Sequence, residues 1–173
     1  ARAALSWGAD AINDISGGSD PEMFRLAATA GCGLILIHMQ GTPATMQTAP
    51  SYENVVDEVT NHLEIRCSYA TEAGVDPDRL MVDPGIGFGK TLDHNLALLA
   101  DLGTVGKGKP ILLGASRKSF ISQLTGAAVE NRLPGSMAAL AAAFYGGASM
   151  VRVHDVEESI QFMNVLGAIL IKK

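Results

Sequence analysis

Five short runs of aliphatic residues, separated by segments with helical periodicity, constrain the fold of this chain more than any other feature. The runs cover residues 11–15, 34–39, 80–83, 111–114 and 150–154. Strands that alternate with helices form right-handed βαβ units and a parallel sheet. The chain has 173 residues, a length typical of one domain, and we expect a single domain over residues 1–173.

Capping signals indicate where the helices begin and end. We expect helices from Asp20-Pro21 to about Gly31, from Ser51 to Gly74, from Thr91 or Asp93 onward, over residues 135–145, and after the capping-box pair Asp155 and Glu158. No repeat, low-complexity segment or interdomain linker interrupts this alternation. The whole sequence is therefore interpreted as one α/β unit.

Each of the five apolar runs ends in polar side chains. These are Asn13-Asp14, His38-Met39-Gln40, Asp83, Ser116-Arg117-Lys118, and Arg152 with His154. Because the carboxyl ends of parallel strands lie on one side of a sheet, we expect these groups to converge on one mouth. The functional site is therefore predicted at that mouth.

The last run, VRVHDV, has one apolar and one cationic face, because Val151 and Val153 alternate with Arg152 and His154. An exposed edge strand with solvated charges is one interpretation. Helices on both sides of the strand would instead bury Arg152, and a buried arginine needs a partner. We therefore expect Arg152 and His154 to bind an anion.

The segment GASRKSF places Ser116, Arg117 and Lys118 at a junction between a strand and a helix. Cations at a helix N-terminus oppose the helix dipole, which favours anions. A solvated helix start is one explanation, and a negative ligand between the cations and the backbone amides is the other. Lys90 and Arg152 add two more cations to the same mouth of an acidic chain, which favours the ligand.

The segment DPGIGFGK, residues 83–90, is rich in glycine but fits neither common phosphate-binding loop. A Walker loop requires glycine where Pro84 stands, and a dinucleotide fingerprint requires two residues between Gly87 and Gly89. Asp83 either caps a helix or accepts two parallel hydrogen bonds from an N–C–N edge of a ligand. Asn13 could add a donor and an acceptor. The glycines form a poor first helical turn, which favours the ligand.

The segment HMQGTPATMQ, residues 38–47, carries no fixed charge. We interpret it as a loop that faces the ligand, although Met39 and Met46 are also typical gap-fillers of a core. His62 and His94 lie in helical patterns and are assigned no role.

Composition argues against several classes of protein. The net charge of −5 disfavours a nucleic-acid surface. Cys32 and Cys67 have no metal or redox spacing and are interpreted as buried thiols in a reducing cytoplasm. The most apolar run, residues 137–145, is far shorter than the ~18 residues of a membrane span, and no signal pattern is present. We expect a cytoplasmic protein that binds neither nucleic acid nor membranes.

Taken together, these motifs resemble dihydropteroate synthase, an enzyme of the folate pathway. The matching segments are AINDISGG, HMQGTPATMQ, DPGIGFGK, GASRKS and VRVHDV, which run along almost the whole chain. The family fold is a (β/α)8 TIM barrel. The resemblance implies the condensation of 6-hydroxymethyl-7,8-dihydropterin pyrophosphate with p-aminobenzoate, assisted by Mg²⁺, to give 7,8-dihydropteroate and pyrophosphate.

The resemblance also implies a role for each candidate residue. Asn13 and Asp83 would bind the pterin ring, with Ile15 and Met39 in its pocket; Lys118 would contact the pterin near the p-aminobenzoate site, with Ser116 and Phe88 alongside; Arg152 and His154 would hold the pyrophosphate. Asp83 and Lys118 are the expected catalytic residues, because Asp83 would offset positive charge that develops on the pterin. A cytoplasmic homodimer and a sulfonamide target are implied as well.

The sequence departs from the family pattern at its start. The first three strands of the family and their loops are absent, and the opening ARAALSWGAD is interpreted as the end of a helix. The chain is therefore expected to be the C-terminal five βα units of a barrel. The missing part would carry two mobile loops, a metal-contacting asparagine and another pterin-binding aspartate, so no metal ligand is expected in this segment.

Two other functions are compatible with parts of the pattern. A pterin-binding methyltransferase that acts on methyltetrahydrofolate shares the aspartate that binds the pterin but needs no pyrophosphate site. GASRKS and VRVHDV favour the synthase. An inactive barrel fragment that docks on a partner is the third hypothesis, which the polar groups at the mouth disfavour.

Overall fold

The structure, a computed structural model, describes residues 1–170 and confirms the alternation of strands and helices. The strands are β1 (Ala11–Asp14), β2 (Gly33–Ile37), β3 (Leu80–Asp83), β4 (Leu112–Leu113) and β5 (Met150–Val151). The helices are α1 (Arg2–Ser6), α2 (Pro21–Ala30), α3 (Val55–Glu72), α4 (Leu92–Ala100), α5 (Leu102–Gly106), α6 (Ser119–Thr125), α7 (Leu133–Tyr145) and α8 (Val156–Leu170). The predicted α/β class is therefore confirmed, with a strand at each predicted run and with β2 beginning one residue earlier than its run.

The strands are parallel and follow one another in chain order, as predicted. β1, β2 and β3 form one sheet, and β4 and β5 form a second pair. A single parallel bridge between Val82 and Ile111 joins the two, beside a hydrogen bond from the Val82 N–H to the Pro110 carbonyl. Pro110 has no N–H to donate, so the ladder cannot extend through that residue.

The strand register places the candidate residues on one face of the sheet. Asn13 is the partner of Ile35, and Asp83 is the partner of Ile37. Because partners across a parallel ladder point the same way and residues two apart share a face, Asn13 and Asp83 project from the same side. The alternate residues, among them Leu34 and Leu36, face the helices.

The hydrophobic core lies between the helices and that opposite face of the sheet. Val59 and Leu63 of α3, Leu98 of α4 and Leu102 of α5 are fully buried against the strands. Burying each such side chain contributes about 1.5–3 kcal/mol, which fixes α3 to α5 across β2 and β3. The polar ends of the strands are thereby held on a rigid base.

The helix that was predicted from Ser51 begins four residues later. The Asn54 side chain accepts hydrogen bonds from the Val56 and Asp57 amides and caps α3. The Ser51 N–H instead donates to Gln40 Oε1 at 3.0 Å, which ties the strand-end loop to the helix entry. The earlier start is therefore wrong, because Ser51 is used in a contact between loops.

The next predicted helix is divided in two. Thr91 caps α4, and the His94 side chain accepts from the Thr91 amide to complete a capping box. α4 ends at Ala100, because Asp101 leaves the helical conformation, and Leu102 begins the separate helix α5. Within residues 1–170, no helix is long and apolar enough to cross a bilayer.

Candidate active site

Asp83, the last residue of β3, is the buried acid of the mouth. It is 6% exposed, and its Oδ1 accepts the Gly85 N–H at 2.7 Å. Burial raises the pKa of Asp83 to about 6, while the Gly85 N–H and the cations Lys118, Lys90 and Arg152 oppose that rise. Asp83 is therefore an acceptor aimed from a rigid strand end and supported by three cations.

Lys118 and Phe88 lie next to this acid. The Lys118 ammonium lies 4.2 Å from the centroid of the Phe88 ring and donates to the Ile86 carbonyl. Burial lowers the pKa of Lys118 to about 8, against the opposing effect of Asp83. Asp83 and Lys118 therefore place opposite charges at the same mouth, where each acts on the pKa of the other, and the Phe88 ring lies beside the lysine.

Ser116 and His154 are joined by direct contacts. The His154 N–H donates to Ser116 Oγ at 3.3 Å, and His154 Nδ1 lies 3.1 Å from the same oxygen. The Arg152 amide donates to the Leu113 carbonyl, which continues the pairing of β5 with β4. The predicted cluster of Ser116, Arg152 and His154 is thus brought together at the ends of β4 and β5.

The predicted burial of Arg152 is wrong. Arg152 and His154 are both exposed, because β5 pairs only with β4 among residues 1–170 and its other edge is open. The argument that burial requires a partner for Arg152 therefore does not apply to this chain. What remains is an exposed arginine and an exposed histidine beside the buried Ser116.

Arg117 does not point into the mouth as a free cation. Its guanidinium pairs with the Asp155 carboxylate at the start of α8, with Nε 3.0 Å from Oδ2. The pKa of Asp155 is lowered by the hydrogen bond from Arg117. Asp155 is thus engaged by Arg117 and not by the predicted capping box, and the mouth has one cation fewer than the sequence suggested.

The loop after β1 is shaped by Asp14. Its carboxylate accepts hydrogen bonds from the amide and hydroxyl of Ser16 and from the Gly18 amide. Asn13 and Ile15 are exposed on either side of it, beside a cavity of about 310 Å³ that they line together with residues of α1. The structure therefore places Asn13 and Ile15 on the open edge of β1.

Met39 lies half-buried just after β2, beside a buried contact that sequence reasoning missed. Lys90 Nζ lies 3.0 Å from His38 Nδ1 and 3.0 Å from the Phe88 carbonyl. Both residues were predicted at the mouth, but the sequence pattern does not specify that their side chains meet. Within residues 1–170, no group of three or more His, Cys, Asp or Glu side chains is arranged to hold a metal ion.

The comparisons with known proteins show the family to which the chain is related. The sequence profile of the family described as "Pterin binding enzyme" matches residues 1–154. Dihydropteroate synthase of Escherichia coli (strain K12) is 42% identical over 173 residues, which cover 99% of this chain and 61% of that protein. The Mycobacterium leprae (strain TN) enzyme is 45% identical over 177 residues, with coverage of 97% and 62%.

Solved structures of dihydropteroate synthases superimpose on the chain. The Stenotrophomonas maltophilia enzyme with active site-bound imidazole has a TM-score of 0.94 and 40% identity, covering 97% of this chain and 64% of that one. The Thermus thermophilus enzyme in complex with 6HMPPP has a TM-score of 0.91 and 42% identity, with coverage of 96% and 67%. The chain spans about 61% of the length of the curated relatives. The resemblance is confirmed, and the chain belongs to the family of pterin-binding enzymes.

Proposed function

We propose that this chain provides the larger part of a dihydropteroate synthase. The enzyme would join 6-hydroxymethyl-7,8-dihydropterin pyrophosphate to p-aminobenzoate and release 7,8-dihydropteroate and pyrophosphate. The observation that carries the proposal is the convergence, at the carboxyl ends of parallel strands, of the buried Asp83 with Lys118 and the Arg152–His154 pair. The acid suits a substrate ring that is rich in hydrogen-bond donors, and the cationic side chains suit an anionic group attached to that ring.

Asp83 is the proposed pterin-binding acid. An ionised carboxylate can accept two parallel hydrogen bonds from the N–C–N edge of the ring, and Gly85 already orients one of its oxygens. Asn13 projects from the same face of the sheet through its register with Ile35. Ile15 and Met39 would line the same pocket, with Ile15 on the open edge of β1.

Lys118, Phe88 and Ser116 would surround the p-aminobenzoate. The ring of Phe88 offers an aromatic face, and Lys118 supplies a cation for the benzoate carboxylate or the pterin. A related enzyme has been solved with such ligands: structures of the Xanthomonas albilineans synthase contain 4-aminobenzoic acid and 7,8-dihydropteroate. These complexes, one with a substrate and one with the product of the proposed reaction, support the same chemistry here.

The proposed reaction breaks the C–O bond between the pterin methylene and the pyrophosphate. The pyrophosphate leaves with the bonding electrons and is stabilised by Arg152 and His154, while the aromatic amine attacks the methylene and then loses a proton to water. Asp83 stabilises positive charge on the pterin as that bond weakens. The groups required by the departing anion and by the pterin cation are thus separate.

The proposal includes Mg²⁺ because the resemblance to dihydropteroate synthases implies it. Residues 1–170 bring together no carboxylate or imidazole cluster that would hold it. We propose that its ligands are the substrate pyrophosphate and residues of the N-terminal region that the relatives have before the part matched by this chain.

The same proposal extends to the architecture. Five parallel βα units in chain order are the number expected for the C-terminal part of a (β/α)8 barrel, and residues 1–173 would form part of that single domain. Three further units would pair with the free edges of β1 and β5 and close the ring. We further propose that the enzyme is a homodimer in the cytoplasm.

A methyltransferase that acts on methyltetrahydrofolate is the alternative enzyme. It would need an acid such as Asp83 for the pterin but no anion site. The contact of His154 with Ser116, beside Arg152, favours the synthase. An inactive barrel fragment would not be expected to keep a buried acid such as Asp83 beside a lysine.

The test is a condensation assay on the protein made from the complete gene. We expect dihydropteroate and pyrophosphate to form in equal amounts from the two substrates, and a sulfonamide to compete with p-aminobenzoate. Methyl transfer from methyltetrahydrofolate without condensation would favour the alternative enzyme. The absence of both activities would favour the inactive fragment.

A further inference from the structure

Lys90 is a buried cation that the proposed reaction does not use. It is 4% exposed, and no carboxylate of residues 1–170 lies within ion-pair distance of its ammonium. Its Nζ instead meets three acceptors: His38 Nδ1 at 3.0 Å, the Phe88 carbonyl at 3.0 Å and the His38 carbonyl at 3.5 Å. An ammonium has three donors, so this set of acceptors satisfies it completely.

The contact fixes the protonation of His38. While Lys90 is an ammonium it can only donate, so Nδ1 then accepts with its lone pair and the ring proton resides on Nε2. Burial, with the nearby positive charge of Lys90, lowers the pKa of His38 to about 3 and keeps the ring neutral. His38 therefore acts as a fixed acceptor for Lys90.

Lys90 joins two loops of the mouth. His38 directly follows β2, whereas Phe88 belongs to the glycine-rich loop after β3. The loops also touch through their backbones: a β-carbon on Gly85 would lie 1.9 Å from the His38 carbonyl oxygen, and one on Gly89 would lie 2.6 Å from the Gln40 oxygen. The lysine thus fastens two segments that are already in close contact.

Lys90 also contributes to the field around Asp83. The groups that face Asp83 are the Gly85 N–H, Lys118, Lys90 and Arg152. Lys118 is the proposed substrate contact and Arg152 is exposed, whereas Lys90 is buried behind the loop. The groups that face Lys90 in turn are Asp83, Lys118, His38 and His62.

We propose that Lys90 is a positioning residue: held by His38, it fastens the glycine-rich loop to the end of β2 and keeps the Asp83 carboxylate ionised for pterin binding. The inference rests on the proposed pterin-binding role of Asp83. Burial lowers the pKa of Lys90 to about 7 and raises that of Asp83 to about 6. Both groups are therefore charged between about pH 6 and pH 7, and Lys90 is an ammonium over the range in which Asp83 titrates.

The experiment measures the affinity of the complete enzyme for 6-hydroxymethylpterin, a probe without a phosphate, from pH 5 to pH 8. Lys90→Met removes the charge at similar volume. Lys109→Met is the matched control, because Lys109 precedes β4 at the opposite end of the strands and the net charge changes equally. Binding should be lost at low pH, as Asp83 becomes protonated; we call this part of the pH profile the acid limb. We expect the midpoint of the acid limb for Lys90→Met to lie roughly one pH unit above that of the wild type and of Lys109→Met, because the carboxylate loses a nearby positive charge.

The outcomes separate this inference from the proposed function. A wild-type enzyme that binds no pterin would overturn the proposed function itself. A wild-type enzyme that binds, together with a Lys90→Met acid limb that coincides with that of Lys109→Met, would overturn the inference about Lys90. A uniform loss of affinity at every pH would do the same, because it indicates a purely structural lysine. Should Lys90→Met not fold, Lys90→Gln is measured in its place.

Discussion

At the scale of the residue, Asp83 combines a functional requirement with a cost in stability. Burial raises its pKa from 3.8 to about 6, so its proton is held more tightly in the folded chain than in the unfolded chain. Ionisation therefore destabilises the fold as pH rises from about 4 to about 6. Residues of binding sites commonly carry such a cost.

We predict that Asp83→Asn raises the free energy of unfolding at pH 7.5 by roughly 2–3 kcal/mol, because the buried charge is gone. The gain should shrink as pH falls and disappear near pH 3.5, where Asp83 is mostly protonated in both the folded and the unfolded chain. Urea unfolding of the complete enzyme at the two pH values measures it. Asp10→Asn, at the exposed amino end of β1, is the control. A gain that does not depend on pH would contradict this account of Asp83.

The site residues differ in how far the sequence predicted them. The ends of parallel strands must meet, so Asp83, Ser116 and Lys118 could be grouped from the pattern alone. The Arg117–Asp155 pair could not, because it joins residues 38 positions apart through side-chain directions that periodicity does not specify. Arg152 was expected to be buried because the pattern gives no information about which strand lies at an edge.

At the scale of the element, the glycine-rich loop after β3 depends on a residue without a β-carbon. Gly85 has a φ of +67°, and a β-carbon there would lie 1.9 Å from the His38 backbone oxygen. Gly126, at the end of α6, has a φ of +72° but no atom within 4 Å of its added β-carbon. The two glycines thus share a backbone conformation but differ in their surroundings.

We predict that Gly126→Ala destabilises the complete enzyme by about 1–2 kcal/mol, the cost of a left-handed conformation for alanine. Gly85→Ala should cost a further ~1–3 kcal/mol, because the His38 backbone just after β2 must move away. It should also weaken pterin binding, whereas Gly126→Ala should not. Chemical unfolding and pterin titration measure both effects, and equal losses for the two variants would show that the contact with His38 is unimportant.

The five strands and most of the helices could be predicted from the sequence pattern, but α5 as a separate helix and some boundaries could not. Asp20, Pro21 and Gly31 gave the limits of α2 because the capping chemistry is local. The start of α3 was missed because a long-range contact with Gln40 engages Ser51. The break between α4 and α5 falls at Asp101, and neither that residue nor its immediate neighbours in the sequence are glycine or proline.

At the scale of the whole molecule, the described chain has two free sheet edges. β1 pairs only with β2 and β5 only with β4 within residues 1–170. Apolar side chains near these edges and on α8 are about half exposed, among them Ile15 (46%), Met150 (49%) and Ile169 (58%). Open edges beside exposed apolar groups favour association with other chains.

We therefore predict that residues 1–173, expressed alone, form concentration-dependent oligomers or aggregates. The protein from the complete gene should give a single species, because the three further βα units of the proposed barrel would cover both edges. Size-exclusion chromatography with light scattering compares the two. A fragment that is monomeric at all concentrations would contradict the proposed barrel closure.

The most direct test of the account is a calorimetric titration of the complete enzyme with two ligands, 6-hydroxymethyl-7,8-dihydropterin and its pyrophosphate. We predict that Arg152→Ala weakens only the pyrophosphate ligand, by roughly 1.5–3 kcal/mol, because a hydrogen bond to a charged group is lost. Asp83→Asn should weaken both ligands, since each presents the same ring. Wild-type affinity of Asp83→Asn for the alcohol, or equal losses of both ligands in Arg152→Ala, would contradict the assignment of ring and pyrophosphate to separate residues.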